Sequence, residues 1–276
     1  MRRFVLALCL LWPCAAHLHA REAAAGPAQV RIVQEDGAWR LRVDGRPYHV
    51  KGAGSASGDL EQLAARGGNS FRTWSTGTDA AAVRAMLDRA QRNGLMVAMG
   101  IEVGKERHGF DYDDPQAVAA QLRRIRGEVL LYRDHPAVLM WVVGNELNLE
   151  YSNPKVWNAV GEIAEMIHEV DPNHPVMTTL AGFDRKLIDQ LKARAPALDL
   201  IGIQLYGDID TLPRRLRESG WSGPYIVTEW GPTGHWESPL TAWGAPIEDH
   251  ASRKAELLVE RYRRYIESDT RQGLGS

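Results

Sequence analysis

Residues 138–148 read Val138-Leu139-Met140-Trp141-Val142-Val143-Gly144-Asn145-Glu146-Leu147-Asn148, and residues 225–231 read Tyr225-Ile226-Val227-Thr228-Glu229-Trp230-Gly231. The first is a continuous apolar run that ends on an amide and a carboxylate; the second ends on a carboxylate followed by tryptophan and glycine. Such runs are strands covered on both faces, as in a parallel sheet. In a closed (β/α)₈ barrel the carboxyl ends of the strands form one face, where functional side chains collect. The two glutamates lie 229 − 146 = 83 residues apart, three repeats of about 28, close to the ~30 residues of one βα unit. This spacing puts Glu146 at the end of strand four and Glu229 at the end of strand seven, on opposite sides of one cleft.

The surrounding chain supports the same class. Apolar strands are predicted at 48–52, 70–74, 96–101, 138–144, 176–180, 200–205 and 225–228, separated by amphipathic helices, which is the texture of parallel βαβ units. Asp114 with Pro115, and Asn153 with Pro154, are helix starts in which the proline occupies the first helical position. After Pro154, the residues Val156, Trp157, Val160, Ile163, Ile167 and Val170 fall at helical spacing and form one apolar stripe that faces the sheet. Ahead of the barrel, 30–33, 39–43 and 47–51 are joined by Asp36-Gly37 and Asp44-Gly45, a short antiparallel β meander. Gly52, Gly54 and Gly58 lack the dinucleotide-binding spacing and read as a loop at the mouth of strand one. An open doubly wound sheet with its cleft away from both glutamates is the competing architecture.

Arg2 and Arg3 precede an apolar run from Phe4 to Trp12 and then small residues, with a cleavage position after Ala20. Residues 1–20 therefore read as a secretory signal, and the apolar run is about half of what a membrane span needs. The product is expected in the periplasm or outside the cell, without a stable membrane anchor. Both cysteines, Cys9 and Cys14, fall inside that segment, so the mature chain is expected to contain no thiol or disulfide. The barrel domain is assigned to 28–276, enough for a single core. A formal net charge of −2 argues against a nucleic-acid or anionic-membrane partner, since those need clustered excess positive charge. The arginine-rich stretches at 123–126 and 261–264 lie in helical patterns and read as solvated faces.

The histidines are scattered, and there is no zinc motif, no Gly-x-Ser-x-Gly elbow and no phosphate loop. No metal and no cofactor is expected. Either glutamate alone reads as an ion-paired strand-end residue. Together, at barrel spacing, they provide what glycoside hydrolysis with retention requires. One carboxylate attacks the anomeric carbon, and the other, about 5 Å away, protonates the leaving oxygen and then activates water. The apolar run beneath Glu146 favours its protonated form, so Glu146 is the acid/base and Glu229 the nucleophile.

With these residues the chain resembles the clan A glycoside hydrolases, in particular the TIM-barrel catalytic domain of glycoside hydrolase family 2, over nearly all of 30–276. The resemblance implies that Asn145, just before the acid/base, hydrogen-bonds the sugar 2-hydroxyl. It also implies an arginine at the end of strand two, met here by Arg72 in Phe71-Arg72-Thr73-Trp74, and a tyrosine after strand six that donates to the nucleophile, met by Tyr206. Trp74 is placed with them as a substrate contact. The loop after strand seven holds Trp230, His235, Trp236, Glu237 and Trp243, and Trp230 and Trp236 are the candidate platforms for sugar rings. Glu102 ends strand three, but its companions Lys105, Glu106 and Arg107 read as a solvated charged loop.

One departure concerns strand eight, since the chain reaches Gly273-Leu274-Gly275-Ser276 where that strand should begin. The barrel is therefore expected to be cut short before or within strand eight, leaving two strand edges open to aggregation or to a partner chain that completes the barrel. The family's strand-eight aromatic and its accessory β-sandwich domains are not expected in this chain. The implied activity is hydrolysis or transglycosylation of a β-linked glycan, such as a glucan or mannan, by double displacement. The competing function is a non-catalytic carbohydrate-binding barrel.

Overall fold

The computed structural model describes residues 26–276 apart from residue 56, so the expected signal at 1–20 lies outside the described residues. The described residues begin with the meander: β1 (Val30–Glu35), β2 (Ala38–Val43) and β3 (Arg46–Tyr48), antiparallel in that order. Both turns have two consecutive left-handed residues, Asp36 and Gly37 at φ 50° and 72°, and Asp44 and Gly45 at φ 51° and 76°. Turns of that kind match the twist of the paired strands, which is why Asp-Gly ends them.

Seven parallel strands follow: β4 (Gly52–Gly54), β5 (Ser70–Arg72), β6 (Met96–Ile101), β7 (Val138–Asn145), β8 (Val176–Ala181), β9 (Leu200–Gln204) and β10 (Tyr225–Glu229), each beside its sequence neighbour. Around them lie α1 (Leu60–Ala65), α2 (Ala80–Arg92), α3 (Pro115–Tyr132), α4 (Lys155–Val170), α5 (Arg185–Arg194), α6 (Leu212–Ser219) and α7 (Ala251–Arg261), the last continuing into a π-helical turn (Tyr262–Ile266). This is the TIM barrel with its amino-terminal meander. Among the described residues, no helix is long and apolar enough to cross a membrane.

Two local expectations are corrected. Gly52 and Gly54 form a strand and not a loop, pairing in parallel with Ser70 and Arg72. The reason is steric: a Cβ at Gly52 would lie 2.9 Å from the Ser70 carbonyl oxygen, so only glycine lets the first strand approach the second this closely. The barrel edges are also not left open. Gly273 pairs with Tyr225 on one side and Gly275 with Val50 on the other, both parallel. Leu274 N donates to Tyr225 O at 2.9 Å, Val227 N to Gly275 O at 3.1 Å, Val50 N to Leu274 O at 2.9 Å and Gly52 N to Ser276 O at 2.8 Å. Residues 273–276 therefore lie in the eighth-strand position and bridge Tyr225 to Val50 through isolated pairs, so the seven full strands form a nearly closed barrel.

Two cores result. The outer one lies between sheet and helices, and the stripe of α4 supplies Val156, Trp157, Val160, Ile163, Ile167 and Val170 to it. The inner one joins Val30, Leu41 and Val43 of the meander to Met96, Leu139, Met140, Met177, Ile226 and Leu274 of the barrel. The meander thus plugs the barrel end opposite the functional face. Leu274 is 2% exposed. Replacing it with alanine is expected to lower unfolding stability by about 2–4 kcal/mol in urea titration. A change below about 0.5 kcal/mol, the size of an ordinary surface effect, would show that the terminal segment is not docked.

Candidate active site

Helix α3 begins at the expected cap, with Asp114 Oδ1 accepting from Gln116 N and Ala117 N. Helix α4 starts one residue later than expected, at Lys155, whose N–H is met by Asn153 Oδ1 at 3.0 Å. Between these helices β7 delivers Asn145 and Glu146. The register of β7 against β8 slips between Val142 and Asn145. Gly144 there adopts φ 75° and Glu146 φ 53°. A left-handed backbone at a glutamate is uncommon and costs of order 1 kcal/mol. It lifts Glu146 off the strand line into the cleft above the barrel.

Glu229, at the end of β10, accepts hydrogen bonds from four side chains. Arg72 Nη2 and Trp74 Nε1 (3.1 Å) donate to Oε1, as does Gln204 Nε2 (2.9 Å), and Tyr206 OH donates to Oε2 at 2.8 Å. The Arg72–Glu229 ion pair is mostly enclosed, with the side chains 6% and 17% exposed. Burial pulls the Arg72 pKa down, against the pull of Glu229, but a guanidinium stays protonated at any working pH. Burial is also the main reason that the Tyr206 hydroxyl is pushed up, with its bond to Glu229 adding to it, so it remains a donor.

Asn145 is oriented by the same set. Its Oδ1 accepts from Arg72 Nη1 (2.9 Å), Gln204 Nε2 (2.9 Å) and Thr179 Oγ1 (3.2 Å). Three donors on one atom require that atom to be the carbonyl oxygen, so the amide nitrogen is the end left for a ligand. Gln204 was not singled out by strand-end reasoning, yet it links Asn145 to Glu229. Its signal is period two: Gln204 and Tyr206 sit two residues apart and point to one side.

Glu146 and Glu229 line one cleft of about 810 Å³, together with Gln204, Tyr206 and Trp236. The Glu146 carboxyl is raised above its ordinary value, first by burial and then by the negative charge of Glu229; Arg107, Lys105 and Arg72 oppose this. A carboxyl raised in the folded state contributes stability that is present below its unfolded pKa and lost as pH rises through the folded one. Glu146→Gln is therefore expected to raise the melting temperature at neutral pH and to give no gain near pH 3. An equal gain at both pH values would sink this account.

The aromatic candidates divide. Trp236, 62% exposed, stands over the cleft, edge-to-face with Tyr206 at 5.1 Å between ring centroids. Its loop is fastened by Glu237, whose Oε2 accepts from Gly207 N (2.7 Å) and Gly234 N (3.1 Å). Trp74 donates to Glu229 and has the Arg72 guanidinium 4.9 Å from its ring centroid. With Trp230 it lines a second cavity of about 420 Å³, bounded by Arg72 and Glu229 and running into the barrel, and Trp230 also stacks on Tyr262 at 5.9 Å. Trp243, 82% exposed, and Glu102, also exposed, lie outside the glutamate pair's hydrogen-bond network. Among the described residues, no group of three or more His, Cys, Asp or Glu side chains is arranged to hold a metal ion.

Fold and site together define a (β/α)₈ barrel whose functional face carries two facing carboxylates, one held by cationic and neutral donors. Residues 59–233 match the family model "Glycosyl hydrolases family 2, TIM barrel domain", and the chain belongs to that family. A search of curated proteins finds none that matches the sequence. Among solved structures, the β-D-glucuronidase of Dictyoglomus thermophilum is similar at 19% identity and TM-score 0.65, over 89% of this chain and 46% of that one. The Bifidobacterium dentium β-glucuronidase in complex with coumarin-3-O-glucuronide gives 19% identity and TM-score 0.61, over 89% and 42%. The Ruminococcus gnavus β-glucuronidase gives 16% and 0.63, over 89% and 45%. At these identities the likeness concerns the fold, and this chain spans less than half the length of these three proteins.

Proposed function

We propose that the chain is a retaining β-glycosidase acting on a β-linked glycan by double displacement, with Glu229 as nucleophile and Glu146 as acid/base. The observation that carries this reading is the asymmetry of the two carboxylates. Glu229 is held by four side-chain donors, among them the Arg72 guanidinium, while burial and the charge of Glu229 raise the Glu146 carboxyl above its ordinary value. Chemistry of this kind needs one group to attack and another to hand over a proton, and opposite environments assign the roles.

In the first half-reaction Glu229 attacks the anomeric carbon while Glu146 gives its proton to the departing oxygen. In the second, Glu146 takes a proton from water, or from the hydroxyl of an acceptor sugar, as that oxygen displaces Glu229. The free amide nitrogen of Asn145 is suited to the 2-hydroxyl, where a hydrogen bond strengthens in the transition state. Trp236 supplies an aromatic face for a sugar ring on the open side of the cleft. Residues 1–20 are proposed to direct export; the protein recovered outside the cytoplasm would then begin at Arg21, and one still beginning at Met1 would contradict this.

The test is turnover of aryl β-glucosides, β-mannosides, β-galactosides and β-glucuronides and of β-glucans, the glucuronides being included because of the structurally similar proteins. It is paired with trapping by the matching 2-deoxy-2-fluoro glycosides. Mass spectrometry is expected to find one label, on the peptide containing Glu229, and none in Glu229→Gln. A label on another residue, or turnover with inversion and no label, would refute the double displacement. Saccharide binding with neither turnover nor label would point to the carbohydrate-binding barrel.

A further inference from the structure

The loop after β6 carries Lys105, Glu106 and Arg107 in succession, a run that looks solvated in sequence but is tied to the acid/base segment in the structure. Glu106 Oε2 accepts from Ser152 N at 2.8 Å and from Asn153 N at 3.0 Å. Arg107 Nη1 donates to the carbonyl oxygen of Glu146 at 2.5 Å and to that of Leu149 at 3.3 Å. The loop is itself anchored: Gly104 N donates to Gln121 Oε1 at 2.6 Å, and Gly104 O accepts from the Tyr112 hydroxyl. The backbone that Arg107 grips is unusual, since Glu146 and Glu150 are both non-glycine residues with left-handed φ, 53° and 54°. Such a bend persists only where the surroundings hold it, and a guanidinium bonded to two of its carbonyls supplies that hold.

We infer that Arg107 is the positioning residue of the acid/base, holding the Glu146–Leu149 bend in the pose from which the Glu146 carboxyl meets the glycosidic oxygen. This inference rests on the proposed role of Glu146 and adds to it a residue from another strand's loop. Arg107 touches the backbone of Glu146 and not the reacting atoms, so it acts through Glu146. The charged and titratable groups around that carboxyl are Glu229 from β10, Arg72 from β5, Tyr206 from the loop after β9, and Lys105 and Arg107 from the loop after β6. Of these, Arg107 is the cation that most strongly pulls the Glu146 pKa down, against burial and Glu229. Lys105 is itself lowered by burial and by Arg107. Without Arg107, the Glu146 pKa should therefore rise further, and its pose should loosen.

The experiment uses the full chain labelled with ¹³C at glutamate carboxyls, with the Glu146 signal assigned by its loss in Glu146→Gln. Its titration is compared in wild type, Arg107→Met and Arg107→Lys. In parallel, kcat and KM are measured on phenyl and 2,4-dinitrophenyl β-glycosides of whichever sugar the wild type turns over. In Arg107→Met the Glu146 midpoint moves to higher pH, and with it the alkaline limb of kcat. In Arg107→Lys, which keeps the charge, both stay near wild type. Both variants lose roughly tenfold or more in kcat on the phenyl glycoside, because a misaligned acid delivers its proton poorly. Little is lost in kcat/KM on the dinitrophenyl glycoside, whose leaving group needs no proton, while its kcat falls with the second step, in which Glu146 acts as base. An unmoved midpoint in Arg107→Met, or equal losses in kcat/KM on both leaving groups together with a lower melting temperature, overturns the inference and leaves Arg107 a structural residue. If the midpoint moves but the wild type turns over no glycoside, the proposed function fails while the coupling of Arg107 to Glu146 stands.

Discussion

Glu229→Ala is expected to lose roughly four orders of magnitude or more in kcat on an aryl β-glycoside, the loss that removal of a covalent nucleophile brings. The structure adds a chemical signature. Alanine leaves an anion-sized space faced by Arg72, Trp74, Gln204 and Tyr206, the groups that bond Glu229. Azide is expected to occupy it and to attack the anomeric carbon from the side where Glu229 stood, giving the α-glycosyl azide from a β-glycoside. Chiral product analysis by NMR checks this, and a β-azide from this variant would assign the nucleophile to the other face. Glu229→Gln keeps the shape but turns an oxygen acceptor into an NH₂ donor aimed at donors, so it should be inactive and less readily rescued. Arg72→Met should be destabilising as well as inactive, because it leaves Glu229 without its ion-pair partner in a mostly enclosed position.

Glu146→Ala is expected to behave differently in three ways that together identify an acid/base. Turnover of poor leaving groups should fall by roughly 10²–10⁴, the usual contribution of a positioned proton donor. Formation of the glycosyl-enzyme from a dinitrophenyl glycoside should be nearly unaffected, so the intermediate accumulates and a burst appears. The alkaline limb of the pH profile should vanish. The sign follows from the raised pKa: in wild type the acid form persists above the usual carboxylate range, and kcat for phenyl glycosides declines only once pH exceeds that raised value. Azide should rescue this variant as the β-glycosyl azide, opposite in stereochemistry to the Glu229→Ala product. An alkaline limb unchanged in Glu146→Ala would assign proton transfer to another group, and Tyr206 would be the next to replace.

The pairing of Glu146 and Glu229 was legible because barrel chemistry is local to strand ends and the βα repeat is regular. Each glutamate follows its own apolar run, and the 83-residue interval counts repeats without knowledge of any contact. The stripe of α4 and the Asp114 cap were legible for the same reason, being set by neighbours within a turn or two of helix. Gln204 was harder, because its role depends on meeting Asn145 and Glu229 on two other strands, although its two-residue offset from Tyr206 hinted at a shared face. Arg107 was misleading, since three adjacent charges look solvated unless the loop is known to lie against the bend at Glu146.

By itself, then, the sequence determined the repeating strand–helix order, the two carboxylates at strand ends and the Asp-Gly turns of the meander, all properties of short stretches and their spacing. Tertiary structure alone decided which donors surround Glu229, which atom of Asn145 remains for a ligand, and that residues 273–276 pair with Tyr225 and Val50, bringing the two ends of the sheet together. The physical reason is distance along the chain. Closing a barrel joins segments more than 200 residues apart, such as Val50 and Gly275, and no local propensity records that contact.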